Sequence, residues 1–345
     1  MPKLIEFIYS ELESGRPVAS SVIVSSSGST PRSTGSRMAM SLDGHIQGTV
    51  GGGPGEAQAL RESKDVLQGQ QSRLLKLDLS GKEAAESGMI CGGRQEILIE
   101  YLESNEQNMH IFSDLLHDLN RGLERILYTA FKLEDRQRAN IFCRTLDPGT
   151  LYSYMPSSLK EEMLSRGAES RLPFSLAKDE YTVLVEPMSS AATVFIAGAG
   201  HVGQATAKLT AFTGFRTVVL DDRADFLSVD RLPDADKLHQ VKGFRECFKD
   251  LQVGPESCIV ILTRGHVHDK TVLAQALQTS AQYIGMIGSR KKREAIYQAL
   301  REEGFSQMAL ERIHCPIGLS IGADTPEEIA VSIVAELIQA RSRVA

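Results

Sequence analysis

Three glycines, Gly198, Gly200 and Gly203, follow the apolar run 193–197 in TVFIAGAGHVGQATAKL and keep the GxGxxG order. In a dinucleotide-binding turn the first glycine makes the tight bend. The second lets backbone approach a pyrophosphate, and the third lets the helix pack on the strand. His201 sits inside this turn, and Asp221 and Asp222 close the next apolar run, where a carboxylate can accept hydrogen bonds from ribose hydroxyls. The same glycines also suit a turn that holds no ligand and serves packing alone. Hydride transfer needs, in addition, an acid or base beside the reacting carbon. The candidate is His266 in ILTRGHVHD, flanked by Arg264 and Asp269. Capping of the following helix by His266 and Asp269 is the competing reading.

Two further stretches have the chemistry of anion sites. GSRKKREAI puts Gly288 and Ser289 at a helix start, with Arg290, Lys291, Lys292 and Arg293 in the first turn. Cations there oppose the helix dipole, so either a bound phosphate or carboxylate offsets them or the face is a solvated basic one. GTVGGGPGE places Gly51, Gly52 and Gly53 before a helix, with Pro54 in its first turn and Glu56 where a capping carboxylate belongs. With Gly53 as N-cap, three glycines in a row expose backbone N–H groups to a ligand, more than a sharp strand-to-helix turn requires. Arg32, in the small-residue loop SSSGSTPRSTGS, either pairs with a ligand phosphate or lies on the surface.

The thiols divide by context. Cys143 and Cys258 sit in apolar runs and read as core. Cys91 lies beside two glycines in GMICGG, where backbone N–H groups can favour a thiolate able to handle sulfur; a small buried side chain in a tight bend is the alternative. Five scattered cysteines without a CxxC pair form neither a disulfide framework nor a metal site.

The elements that must position these groups fall into two sets. Residues 1–188 read as an α+β domain with a mostly central sheet, opened by a helix over 4–13. The strand-like stretches RPVASSVIV, SRMAMSL, HIQGTV, SRLLKLDL, RQEILIEYLE, ERILYTAFKLE, RANIFCRT and EYTVLVEP follow, with helices from 53, over 105–121 and over 157–166. Residues 189–345 alternate strictly: strands over 193–197, 216–221, 257–263 and 282–287, helices over 201–213, 243–250, 268–278 and 290–303, and a last helix opened by Thr325, Pro326 and Glu328 in a capping box. Such alternation implies a doubly wound parallel sheet, giving an α/β chain overall. A composition 42% apolar and 24% charged is that of a globular protein rather than a disordered one. The net charge of −6 gives no reason to expect nucleic acid or an anionic membrane as partner. Without a long apolar run or a leader cleavage site, the expected location is the cytoplasm.

GSTPR at 28–32, GTVGGGPGE at 48–56, GMICGG at 88–93, GAGHVGQ at 198–204, RGHVHD at 264–269, YIGMIGSRKK at 283–292 and IHCPIGLSIGADTPEEIAVSI at 313–333 together resemble the XdhC/CoxI family. These are accessory proteins of xanthine dehydrogenase and related molybdenum hydroxylases, some of them labelled as xanthine dehydrogenase subunits. The resemblance covers about residues 16–102 and 192–341. It implies an XdhC-type α+β domain followed by a Rossmann-like domain. It also implies a chaperone that holds the molybdenum cofactor in its molybdopterin form, supports its sulfuration and delivers it to xanthine dehydrogenase in purine breakdown. The implied partners are a cysteine desulfurase-type sulfurtransferase and the catalytic chain of xanthine dehydrogenase, and the implied state is a homodimer without turnover of its own. Certain relatives carry a cysteine where this chain has Pro54, so a sulfur role rests here on Cys91. The alternatives are an NAD(P)-dependent oxidoreductase using Gly198, Gly200, Gly203 and Asp221, and a nucleotide-sensing assembly factor.

Overall fold

A computed structural model describes residues 2–78, 93–167, 172–189 and 191–342. The chain divides into two compact units, Met1–Ser190 and Ala191–Ala345.

The first unit runs α1 (Pro2–Glu13), β1 (Val18–Ser27), β2 (Arg37–Ser41), β3 (Ile46–Gly48), α2 (Gly53–Gly69), β4 (Arg73–Asp78), β5 (Arg94–Leu102), α3 (Glu106–Asn120), β6 (Arg125–Leu133), β7 (Ala139–Thr145), α4 (Pro148–Tyr152), α5 (Ser157–Gly167), β8 (Phe174–Lys178) and β9 (Tyr181–Met188). In place of the single central sheet expected, two antiparallel sheets form, ordered β3-β2-β1-β5-β4 and β7-β6-β9-β8. The reason lies in β1, whose two faces are both buried. Ala19 and Ile23 pack with Ala59 and Val66 of α2. Val22 and Val24, on the opposite face, pack with Phe131, Ala139 and Leu184 of the second sheet. The short strand β8 went unread, because its alternation spans only five residues.

A buried group of four charges accompanies this sheet-to-sheet packing. Arg37 reaches Glu186 at 2.5 Å and Glu100 at 3.4 Å, while Arg144 meets Glu100 at 3.0 Å. Arg37 also donates to the Ser20 hydroxyl, and Arg144 donates to Asn108 Oδ1 at 2.9 Å. Burial pushes the Glu186 carboxyl above its usual range, and only the facing guanidinium groups make the arrangement tolerable.

The second unit runs β10 (Thr193–Ala197), α6 (His201–Phe212), β11 (Arg216–Asp221), β12 (Lys237–Gln240), β13 (Cys258–Ile261), α7 (His266–Ala276), β14 (Tyr283–Met286), α8 (Arg290–Glu302), α9 (Gln307–Glu311), β15 (Ile313–His314) and α10 (Pro326–Ser342). Its strands are parallel in the order β12-β11-β10-β13-β14-β15, with Val194 opposite both Thr217 and Cys258. Strand order reverses at β10, so a crevice opens beyond the carboxyl ends of β10 and its neighbours, where ligands of this fold bind. The capping box of α10 forms: Thr325 Oγ1 accepts from Glu328 N–H at 3.2 Å, and the Glu328 carboxylate accepts from Asp324 and Thr325 N–H.

One expected helix is absent. Residues 243–250 are a run of turns in which Phe244 and Glu246 adopt positive φ, 59° and 52°. The Gln275 amide serves their backbone instead, donating to Phe244 O and accepting from Cys247 N–H, both at 2.8 Å. Burial of the Phe244 ring fixes this conformation against local helix preference. Among the described residues no helix is long and apolar enough to cross a membrane.

Replacing Arg37 by Ala would leave Glu100 and Glu186 buried without their shared cation. The expected cost is about 3–5 kcal/mol, read as a lower urea midpoint by circular dichroism; an unchanged midpoint would show that the four charges do not brace the unit.

Candidate cofactor site

Gly198 and Gly203 take the turn and packing positions that their spacing predicts. Gly198 has φ 119°, and a Cβ there would lie 2.4 Å from Leu262 O. A Cβ on Gly203 would lie 1.9 Å from Gly198 O, so only glycine lets α6 settle onto the end of β10. Gly200, by contrast, has an ordinary φ of −69°, and a Cβ there would meet nothing within 4 Å. It is the N-cap of α6, and no side chain caps the first amides at this positive dipole end of the helix. His201, the first residue of α6, is exposed.

Asp221 does not stand free for a ribose. Its Oδ2 accepts from Ala199 N–H at 2.7 Å and from Arg223 Nη2 at 2.9 Å, and its Oδ1 accepts from the Arg223 backbone and Nε. Burial works to raise its pKa, but the hydrogen bonds from Arg223 and Ala199 override this and lower it to about 2. The residue expected to read the ligand thus braces the turn against β11. Arg223 in turn lies over the Phe226 ring, 3.6 Å from its centroid. The neighbouring Asp222 takes a different partner, accepting from Arg264 Nη2 at 2.8 Å.

Beyond β13, Gly265 with φ 86° precedes α7 without a side-chain cap, so His266 is the exposed first residue of that helix and not its cap. Asp269 is fully buried; its Oδ1 accepts from the Thr263 hydroxyl at 2.6 Å and its Oδ2 pairs with the Lys292 ammonium. The basic start of α8 is therefore paired in part from inside the chain. Ser289 caps the helix by accepting from Lys292 N–H at 3.3 Å. Lys292 is neutralised from inside by Asp269, Arg293 pairs with Glu294, and Arg290 and Lys291 are left exposed. The dipole penalty at Lys292 is offset by a buried carboxylate of the chain itself.

In the first unit, Gly51, Gly52 and Gly53 have φ of 133°, 74° and 63°, a run of positive φ that favours glycine. The turn already faces an anion. Glu56 Oε2 accepts from Val50 N–H at 2.9 Å and Gly52 N–H at 3.1 Å and from the Thr49 hydroxyl, and Gly51 N–H donates to Thr49 Oγ1 at 3.0 Å. Burial raises the Glu56 pKa, but the Thr49 and backbone hydrogen bonds outweigh it and hold the carboxyl below its usual range. Of the glycines expected to cradle a ligand phosphate, Gly52 donates to Glu56 and Gly51 to Thr49, and the helix N-cap is Gly52, one residue before the expected Gly53. A Cβ on Gly51 would also come within 3.0 Å of Pro31 Cβ and 3.5 Å of Arg32 Cγ, so the Arg32 loop rests on this run, with the Arg32 side chain exposed.

Cys91 lies outside the described residues. Cys143, Cys247, Cys258 and Cys315 are buried thiols, and burial pushes Cys247 and Cys258 up to about 12, so neither is a thiolate near neutral pH. Sequence reading missed the commitments of Arg223, Asp269 and Lys292; the adjacent opposite charges in DDR were the available signal for the first. It also missed Glu336, which accepts from Tyr283 Oη and Gly318 N–H at 2.6 Å each, faces His314 Nδ1 at 2.7 Å, and so ties the segment after β15 to α10.

The glycines make a sharp contrast testable. Gly203→Ala should unfold or strongly destabilise the second unit, whereas Gly200→Ala should change stability by under about 1 kcal/mol; equal thermal midpoints for the two variants would contradict the packing argument. Asp221 adds a pH signature. Its folded pKa is depressed, so its stabilisation is complete above the unfolded value near 3.9 and is lost as pH falls toward about 2. Asp221→Asn should therefore lower stability at pH 7 and flatten the acid limb between those values, measured by urea melts at each pH. An unaltered acid limb would remove Asp221 from the brace.

Comparison with known proteins follows the same two units. The XdhC and CoxI family model matches residues 11–78 and the XdhC Rossmann domain model matches residues 194–337, together more than half of the chain. The chain is 26% identical over 330 residues to the uncharacterized protein YqeB of Escherichia coli K12. That match covers 96% of this chain and 44% of YqeB, so the chain spans less than half of that relative's length. It is 25% identical over 336 residues to a protein of Bacillus subtilis 168 described as a probable xanthine dehydrogenase subunit, covering 97% of this chain and 96% of that one. To the molybdenum cofactor insertion chaperone PaoD of E. coli K12 it is 22% identical over 338 residues, covering 98% and 88%. A crystal structure described as a xanthine dehydrogenase from Bacillus halodurans shares the fold with a TM-score of 0.78 at 24% identity, over 98% of this chain and 96% of that one. With both units matched in order and the Rossmann turn intact, this chain belongs to the XdhC and CoxI family.

Proposed function

We propose that this protein is an accessory factor that binds the molybdenum cofactor as cargo, supports its sulfuration and hands it to the catalytic chain of a xanthine dehydrogenase in the cytoplasm. In this reading it acts as a homodimer in purine breakdown, alongside a cysteine desulfurase-type sulfurtransferase. The cargo supplies the metal centre at which the recipient enzyme hydroxylates its substrate; this chain supplies a place to hold it. The observation that carries the reading is the open face of the glycine turn. At Gly200 a Cβ would meet no protein atom within 4 Å, and the uncapped start of α6 offers backbone N–H groups to a phosphate. Pterin phosphate and nucleotide phosphate both fit that chemistry. Hydride chemistry would rest on His266, the exposed first residue of α7, without help from Asp269, which is bound to Thr263 and Lys292. Cys91 is the thiol we assign to sulfur handling, since burial raises the pKa of each of the four described thiols, Cys143, Cys247, Cys258 and Cys315.

The test is reconstitution. With apo-hydroxylase and molybdenum cofactor present, wild-type protein should raise xanthine oxidation, and Gly200→Val should do so at least about tenfold less, a loss of roughly 1.4 kcal/mol or more in cofactor holding. Cys91→Ser should fold normally and lower the sulfurated, active fraction. Sustained reduction of NAD by the lone polypeptide, abolished by Gly200→Val, would make it an oxidoreductase and overturn the proposal.

A further inference from the structure

The charge group between the two sheets of the first unit leaves three polar atoms over. Thr129 Oγ1, Arg144 Nε and Glu100 Oε1 have no hydrogen-bond partner among the described residues, although their residues are only 0%, 8% and 0% exposed. Glu100 Oε1 lies 3.0 Å from Arg144 Nη2, which pairs with it in charge but makes no hydrogen bond. Buried polar atoms left unbonded are costly, and folded proteins satisfy nearly all of them.

Strand register brings the three together. Thr129 of β6 stands directly opposite Arg144 of β7, so their side chains rise side by side from one face of the second sheet. Leu184, opposite Thr129 on its other flank, packs with Val22 and Leu98 of the first sheet, and Glu100 follows Leu98 by two residues on the same face of β5. Just beyond the Thr129–Arg144 pair the β6–β7 ladder shifts register, between Ala130 and Phe131, which disrupts the pairing locally. We propose that these three atoms hold one buried water molecule. It accepts from Arg144 Nε–H and donates to Glu100 Oε1, with the Thr129 hydroxyl as its third partner.

Water fits here where an ion does not. Arg37 and Arg144 already balance Glu100 and Glu186, so a cation or an anion would add a net charge in a buried place. The atoms on offer are mixed: an N–H that only donates, a carboxylate oxygen that only accepts and a hydroxyl that does either. A molecule with two hydrogens and two lone pairs satisfies all of them at once, and about three partners is usual for an internal water. The water joins the two sheets through hydrogen bonds as well as charge, and it fixes the Arg144 guanidinium, which also donates to Asn108. The site lies in the first unit and is independent of the cofactor reading.

A crystal structure of the full-length protein, at a resolution that places ordered waters, tests the proposal directly. It should show one water about 2.7–3.2 Å from Arg144 Nε, Glu100 Oε1 and Thr129 Oγ1. Direct hydrogen bonds among the three groups with no water between them would refute the site, and so would an ion at that point. Two variants add a measurement in solution. Thr129→Val keeps the shape of the side chain but removes the hydroxyl, whereas Thr129→Ser keeps the hydroxyl. Magnetic relaxation dispersion of the water signal should count one long-lived internal water fewer in Thr129→Val than in the wild type or Thr129→Ser. The urea midpoint of the valine variant should fall below that of both. Replacing a hydroxyl that bonds to nothing would leave the midpoint unchanged or raise it, and that result, or an equal water count in all three proteins, would overturn the proposal. Should the valine variant fail to fold, the wild-type crystal structure decides.

Discussion

The second unit depends on one close approach, that of Gly203 in α6 to the carbonyl of Gly198. No side chain fits there, since a Cβ at 203 would sit 1.9 Å from that oxygen. Because the helix can come this close, its first amides end up at the carboxyl end of β10, where strand order reverses and a ligand can reach them. The turn is then pinned sideways: Ala199 N–H donates to Asp221, which is itself gripped by Arg223. Packing, turn geometry and electrostatics thus converge on a short backbone segment, and Gly200 is the point in it that faces open space.

The first unit follows a different logic, in which charged groups are consumed internally. Glu56 accepts from Val50 and Gly52 in the triple-glycine turn, and Arg37, Arg144, Glu100 and Glu186 pair with one another between the sheets. Both groups have partners within the chain. Cation and carboxylate pairing recurs in the second unit, where Lys292 and Asp269 join the starts of α8 and α7. Several charges that looked functional are therefore spent on structure, while Arg32, Arg290 and Lys291 stay exposed and the crevice keeps the α6 amides and the Asp222–Arg264 pair.

Much of the fold was legible in the sequence because its signals are local. Strict alternation of strand and helix after residue 192, the glycine spacing and the Thr325–Glu328 capping box all state their own geometry. What escaped was set by distant partners. Helix preference over 243–250 loses to burial of Phe244 and to the amide of Gln275. The serine-rich strand β1 hides the second sheet, because a strand buried on both faces carries no polar alternation to show which side faces another layer. Site residues followed the same rule. Gly198 and Gly203 were readable from backbone requirements alone, whereas the fates of Asp221, Glu56 and Lys292 depended on which donor or carboxylate folding brought beside them.

In the function proposed above, the open glycine turn holds a cofactor for another enzyme. The most direct measurement is molybdenum and pterin analysis of this protein purified from molybdenum-replete cells, alongside the Gly200→Val variant. The account predicts pterin and molybdenum co-purifying with the wild-type chain and largely lost from the variant, with both chains folded to the same extent by circular dichroism. A wild-type protein free of pterin and molybdenum, or one carrying them equally in the variant, would contradict it.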